Sequence, residues 1–451
     1  MQKLKQLIGI TSFLFLNLAS FGQDEERYYD ADSSISSNKK ASSIHLIKLK
    51  KGYKLGDGLT LSSSKGTFNL SQTLQTSFAM NSPNKNLSGL NSEFSINRAR
   101  LTLISNLFEN KFSTVFRINY PSNFQSTTGG NRTFNTTLQE AYFEYRPNRM
   151  HTFNVGLRAD YIDSRETRMQ GENLGFINRS AVSESFDAIF DYGIRYKGNY
   201  KLGGKNLLRP YFSITTGDSR SSLQRNFGGF KYGIRLDYLP FDKFSSGGEY
   251  FMDDLVREEK PKLVIGVVYS YNDGQSSADG TNGGRYLYGD STRNILLPSY
   301  SKFGVDYLFK YRGFYSMGSL FATQSNIPSS IKGEYRLNGT FLSYSTTQLE
   351  EQTKNLVRSR LNLGSGINLQ AGYLLPSDLG FAFRYTSLNA NASSANFASF
   401  NKHYTFMLNK YLYKHDLKIQ LEIGYQELED ALKTPTQNGN YYSQLMFTIQ
   451  L

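Results

Sequence analysis

The stretch YYSQLMFTIQL, residues 441–451, decides the fold. Leu445, Phe447, Ile449 and Leu451 alternate with Gln444, Met446, Thr448 and Gln450, and the sequence stops there. One face of such a strand is apolar and the other polar, as expected of the strand that closes an outer-membrane β-barrel. A closed barrel is the one sheet that spans lipid without leaving backbone groups unpaired.

Working outward, the same period recurs. From about Gly66 there are sixteen strand candidates. Tyr192, Ile194 and Tyr196 oppose Asp191, Gly193, Arg195 and Lys197; Tyr232, Ile234, Leu236 and Tyr238 oppose Lys231, Gly233, Arg235 and Asp237. Phe303, Val305, Tyr307 and Phe309 oppose Lys302, Gly304, Asp306 and Lys310. The connections alternate in length. Residues 106–110, 146–150, 312–313, 375–378 and 413–415 are short, as periplasmic turns are. Residues 121–134, 162–188, 217–229, 273–299, 324–366, 389–402 and 426–440 are long, as outer loops are. One connection, 239–261, is long on the periplasmic side, and spacing does not explain it.

Residues 1–22 read as a secretory signal: Lys3 and Lys5, an apolar run over 7–19, then Ser20-Phe21-Gly22 at the cleavage spacing. Residues 23–65 are expected to be a periplasmic lead-in, partly ordered from 46, and 66–451 the barrel. No helical period follows the signal. The 32 Tyr and 33 Phe would supply interfacial aromatic girdles. A mean hydropathy of −0.47 fits a barrel, because every second strand residue faces water. With no cysteine there is no disulfide, thiolate metal site or cysteine nucleophile. The net charge of +13 becomes +11 once a signal with two Lys and no acid is removed. In an exported barrel that charge points away from nucleic acid, and towards anionic solutes or lipopolysaccharide phosphates.

The polar faces would line a lumen. They carry Arg98, Arg100, Arg117, Arg158, Arg195, Lys197, Arg209, Lys231, Arg235, Lys302, Lys310, Arg384 and Lys418. Against these stand Glu140, Glu144, Asp160, Asp191, Asp237, Asp306 and Glu422. The excess of bases lowers the barrier to anions, while cross-strand pairing of the same groups would simply brace the wall. Sixteen strands leave an aqueous channel unless something fills it. The third outer loop, 162–188, is the expected filler: folded inward, Arg165, Arg168 and Arg179 would face the Arg98/Arg100 wall. Forked guanidinium donors suit oxyanions.

Enzymatic chemistry finds little support. His45, His151, His403 and His415 have neither a serine motif nor zinc-ligand spacing, and no cofactor is implied. Asp273-Gly274, Asp279-Gly280 and Gly283-Gly284 lack the ordered carboxylates of a calcium loop. A non-conducting barrel serving as receptor or export-machinery component is the competing function, and the 324–366 connection is long enough to hold extra structure.

Several segments, in order, resemble the phosphate-selective porin O and P family in its Bacteroidetes-like branch. They are INRARLTLISNLFENKF (96–112), LQEAYFEYRP (138–147), FNVGLRADY (153–161), NLGFINRSAVSESF (173–186), RLDYLPFDKF (235–244), KPKLVIGVVYSYND (260–273), YLFKYRGFYSMG (307–318) and NLQAGYLLP (368–376). The resemblance implies a sixteen-stranded homotrimeric porin with an inward third loop and a lumen lined by Arg and Lys. It places Arg98 and Arg100 among the basic lumen residues and Arg179 in the third-loop motif. The sequence departs from the family after Gly156, where Leu157, Arg158, Ala159 and Asp160 replace its usual Gln, aromatic and Pro, and at Asn178, where Glu is common. Anion preference, with phosphate among the solutes, is therefore the expectation.

Overall fold

Sixteen antiparallel strands form one closed barrel in the computed structural model, which describes residues 48–49, 54–84, 86–120, 137–187, 189–217, 228–276, 286–336, 338–344 and 350–451. The expected signal and residues 23–47 lie outside the described residues, as do Asp279-Gly280 and Gly283-Gly284. In chain order the strands are β1 (Gly66–Asn84), β2 (Asn91–Leu107), β3 (Phe112–Tyr120), β4 (Thr137–Tyr145), β5 (His151–Ala159), β6 (Phe190–Gly198), β7 (Asn206–Thr215) and β8 (Lys231–Leu239). They continue with β9 (Lys262–Asn272), β10 (Ser299–Tyr311), β11 (Phe314–Asn326), β12 (Gly364–Leu374), β13 (Leu379–Ala390), β14 (Phe400–Tyr413), β15 (Leu417–Leu428) and β16 (Gln437–Gln450). Each pairs with the next. β16 returns to β1, with Leu445 opposite Phe78 and Ile449 opposite Leu74. Gln72 and Leu451 exchange two backbone hydrogen bonds of 2.8 Å, so the seam is closed to its last residue. Below it, Leu59–Ser63 of the lead-in forms a hairpin with the start of β1.

The two-residue period sets the two faces. Val155, Ile194 and Ile214 pair side by side on the outer surface, as do Ile234, Tyr269 and Phe303, and all six are exposed. Their alternates, including Arg195, Arg235, Asp237 and Asp306, are buried inside. A one-residue register slip would reverse both faces, so the apolar belt itself fixes the register.

Inside, the inward parity is less polar than the sequence reading assumed. Val264, Val268, Leu308, Met317, Phe321, Leu388, Met407 and Met446 all sit on it and are buried. Two inserted segments cover them. The third outer loop, 160–189, crosses the lumen, and its Met169, Leu174, Phe176 and Ile177 join Leu308, Met317, Met407 and Met446 in one apolar cluster. Its helix α1 (Ala181–Phe186) is capped by the Ser180 side chain, which accepts from the Ser183 N–H, and packs Val182 and Phe186 on Val268 and Phe321.

The second insert is the connection 240–261, whose wrong-sided length spacing left unexplained. It does start from the short-turn rim, and it turns back into the barrel. Phe244 and Met252 enter the same apolar cluster. Met252 N–H donates to the Asn173 carbonyl at 3.0 Å and Asn173 Nδ2 donates to the Tyr250 carbonyl at 3.3 Å, so the two inserts meet. Asp254 accepts from Gly313 N–H at 2.8 Å, tying the insert to the β10–β11 turn. Each buried Met, Leu or Phe contributes roughly 1.5–3 kcal/mol relative to exposure, which is what holds the inserts in an otherwise wet lumen.

On the opposite rim, a four-stranded sheet (Leu287–Gly289, Ile295–Leu296, Gly333–Tyr335, Phe341–Ser343) stands on the barrel with helix α2 (Glu350–Arg358). Tyr288, Ile327, Ile331 and Val357 form its core. The expectation of no helix after the signal is thereby corrected. α1 and α2 are too short and polar to print a long 3.6-residue period, and Ser180 and the Glu350–Lys354 pair at 2.6 Å support them locally.

The meeting of the inserts is testable because the chain has no cysteine. Asn173→Cys with Met252→Cys should form a disulfide on mild oxidation of the folded barrel, seen as faster migration after denaturation. Full recovery of both thiols from a heat-modifiable, folded barrel would place the insert elsewhere.

Candidate functional site in the lumen

Most inward bases meet an acid. On one side Arg235 donates to Asp306 at 2.6 Å and to Asp237 at 2.7 Å. Into this pair of carboxylates the third loop inserts Arg165, 2.9 Å from Asp237 and 3.3 Å from Asp306, and Arg168, 3.1 Å from Asp237. Lys302 holds the loop through Asp163 at 2.6 Å and Asp187 at 2.9 Å. Arg195 pairs with Asp160 at 3.3 Å and donates to the Asp191 carbonyl. Arg209 pairs with Glu249 of the insert at 2.7 Å, and Arg117 pairs with Glu140. The loops thus carry acids that offset the bases of the wall. In a dehydrated interior an unpaired ion costs several kcal/mol, so this matching is a condition of folding.

Among the described residues, Arg98, Arg179, Lys197, Lys310 and Lys418 have no carboxylate within 4 Å; Lys310 donates to the Gly248 and Asp253 carbonyls and Lys418 to the Leu174 carbonyl. Arg98 donates to Gln75, and Arg179 donates to the Met169 carbonyl at 2.8 Å. Arg98 and Arg179, with Arg100, form a basic ring between the β2 wall and the third loop, within electrostatic reach of one another. Glu172 is the ring's close carboxylate, 2.7 Å from Arg100. Burial raises the Glu172 carboxyl, but Arg100 and Arg117 outweigh it and hold the group at about 2. Gly171 makes the contact between loop and wall, since a Cβ there would overlap the Arg98 guanidinium.

Cavities flank the ring. Towards the outer rim, about 230 Å³ is bounded by Arg179, Glu184, Arg384, His403, Glu422 and Tyr442. Glu184 is exposed to the water of this space, yet the barrel wall and loop surround it; that enclosure, with Arg384 opposing and Glu166 adding repulsion, raises its carboxyl to about 7. Towards the short-turn rim, about 330 Å³ lies between the inserts and the β2–β6 wall, lined in part by Arg117, Arg158, Tyr161, Lys197 and Tyr250. Arg158 is sandwiched by the rings of Tyr142 and Tyr161, 4.5 and 4.7 Å from its guanidinium carbon, and reaches Glu144 at 3.2 Å. Lys197 donates to the Tyr250 hydroxyl at 2.9 Å; its charge draws that phenol down to about 8 against burial.

The residues singled out from sequence therefore fall into three groups. Arg98, Arg100 and Arg179 come together; Arg165, Arg168 and Arg235 form a compensated brace; Arg117, Arg158 and Lys197 surround the inner cavity, with Arg195 apart. Sequence reasoning missed Tyr142, Tyr161 and Tyr250. Tyr142 shares the lumen parity of Glu140 and Glu144, which was the available signal; Tyr161 lies beyond the end of β5, and Tyr250 lies in the unexplained 239–261 connection, whose length was its signal.

In fold the chain is similar to solved outer-membrane porins. It aligns with OmpF of Salmonella typhi, in complex with daunomycin, at a TM-score of 0.52 and 9% identity, over 87% of this chain and 100% of that one. With OprB of Pseudomonas putida the TM-score is 0.51 at 8% identity, over 85% and 94%. An anion-selective porin of Comamonas acidovorans gives 0.49 at 10% identity, over 86% and 100%. No protein-family model matches the chain, and no curated protein matches it by sequence. At these identities the likeness is one of fold.

The brace can be tested by stability. Asp237→Ala removes a carboxylate shared by three guanidinium groups, and breaking a buried pair costs about 3–5 kcal/mol. A urea midpoint in detergent should fall accordingly, with Asp242→Ala, on the exposed rim, as an unchanged control. An unaltered midpoint for Asp237→Ala would mean the brace is hydrated.

Proposed function

We propose that the chain is an outer-membrane porin that passes small anionic solutes, phosphate among them, by passive diffusion. The observation that carries this is the ring of Arg98, Arg100 and Arg179, three guanidinium groups of which only Arg100 has a carboxylate within 4 Å, near two cavities of a closed barrel. An anion at the ring exchanges hydration water for forked donors, which offsets its desolvation; a cation meets repulsion. No bond is made or broken, so the protein is no enzyme on this reading. The porin fold and the ordered segments that resemble the phosphate-selective family support it; on this reading the chain is exported by residues 1–22 and sits in lipid and lipopolysaccharide as a homotrimer. The short-turn rim then faces the periplasm and the four-stranded sheet the exterior.

A second reading has its own support. The inserts meet through an apolar cluster that includes Phe176, Met252 and Leu308. A barrel sealed there would serve as a receptor or a component of a larger machine.

The reversal potential in a planar bilayer under a KCl gradient separates them. Stepwise conductance with anion selectivity is expected, and phosphate should replace chloride as carrier or block it. A silent barrel would favour the receptor, and a cation-selective one would refute the basic ring. Acidity adds a check. Glu184 is neutral below about 7 and charged above it. Anion selectivity should therefore rise as the pH falls from 8 to 6, and Glu184→Gln should flatten that dependence at the high, low-pH level. A variant that keeps the wild-type pH profile would assign it to another group.

A further inference from the structure

The inner cavity holds more than an anion needs. Its volume of about 330 Å³ equals roughly ten water molecules and falls in the range of small-molecule sites. A phosphate ion would occupy a small part of it. A site built for a bare anion would also present donors alone, whereas this one presents carboxylates. Glu140 accepts from Arg117 and from the Ala159 N–H at 3.1 Å. Glu144 accepts from Arg146 and Arg158. A carboxylate has about four acceptor positions, so each of these keeps acceptor capacity for a ligand donor.

The donors are equally specific. Arg158 is fixed between two aromatic faces, and its Nε has no hydrogen-bond partner. Fixed guanidinium–carboxylate pairs beside aromatic rings suit vicinal hydroxyls, which accept from one member and donate to the other, while a ring's C–H face lies on the tyrosines. Lys197 adds the remaining feature. It is a cation with no carboxylate, and its ammonium is held by the Tyr250 hydroxyl at 2.9 Å. A neutral polyol leaves that charge unmatched.

We propose that the cavity closed by Tyr250 of the 240–261 insert is a binding site for an acidic saccharide of the uronic-acid type, its hydroxyls on the Arg117–Glu140 and Arg158–Glu144 pairs and its carboxylate on Lys197. The insert is then part of the site as well as a filler of the lumen. The inference rests on the channel reading only for the ligand's route; the site stands on its own geometry.

The experiment is calorimetric titration of the full barrel in detergent with digalacturonate, maltose and inorganic phosphate. Digalacturonate should bind more tightly than either comparator. Lys197→Met should weaken it by roughly tenfold or more, the loss of one charge-assisted hydrogen bond, and leave maltose unchanged. Tyr250→Phe should weaken it less and keeps the fold if Lys197→Met does not. Equal binding of phosphate would reduce the site to a simple anion site, and equal binding of maltose would remove the role of charge; either overturns the proposal. So does digalacturonate binding that ignores both substitutions. Bilayer currents on the same preparation keep the two readings apart: conductance without digalacturonate binding sinks the site and leaves the channel, and binding without conductance does the reverse.

Discussion

Every backbone polar group in hydrocarbon must be paired, and the rest of this structure follows from that constraint. It requires the β16–β1 seam, where Leu451 and Gln72 complete the ladder. Closure at sixteen strands sets the lumen width, and a lumen of that width is too large for side chains of the wall to fill. Filling therefore falls to inserted chain. An inserted chain brings its own backbone and charges into a confined space, and each must find a partner. Hence the third loop's N–H groups meet wall carboxylates, as Arg165 N–H meets Asp306 at 2.9 Å and Ile177 N–H meets Glu422 at 2.9 Å.

The same logic explains why the loops are acidic. Thirteen inward bases on the wall, read from alternation alone, imply a strongly positive bore. The inserts bring Asp163, Glu166, Glu172, Asp187 and Glu249 against them. Charge on the wall is largely structural, and pairing is the bland reading that holds for Arg165, Arg168, Arg195, Arg235 and Lys302. A count of basic residues overstates the field available to a solute.

Alternation made the barrel legible because the lipid belt and the wet face differ at every step. It carried the strand number, the closing strand and the parity of Arg98, Arg235 and Asp306. It failed where the inward face is apolar. Met446 falls among the polar alternates of the closing strand, although apolar residues at lumen parity, Met317 and Met407 with it, announce a covering segment. Connection length marked 239–261 as unusual but gave no direction for it, since direction comes from contacts such as Phe244 and Met252 on the wall. Pairing across 139 residues, as between Lys302 and Asp163, leaves no local pattern to read.

Function should therefore reside in what pairing leaves over. Among the described residues, subtracting the braced groups leaves Arg98 and Arg179 at the ring, Lys197 at the inner cavity, and Lys310 and Lys418, which are held by main-chain carbonyls of the inserts. These sites are separated along the bore rather than stacked in one place. In the proposed channel a mobile anion would be held moderately at the ring and again at Lys197 and could leave in either direction, whereas a single deep well would trap it. Nearby polar groups, Gln75 for Arg98, the Met169 carbonyl for Arg179 and the Tyr250 hydroxyl for Lys197, hold the residual charges without neutralising them. A carboxylate in any of these three places would stabilise the fold and abolish the site.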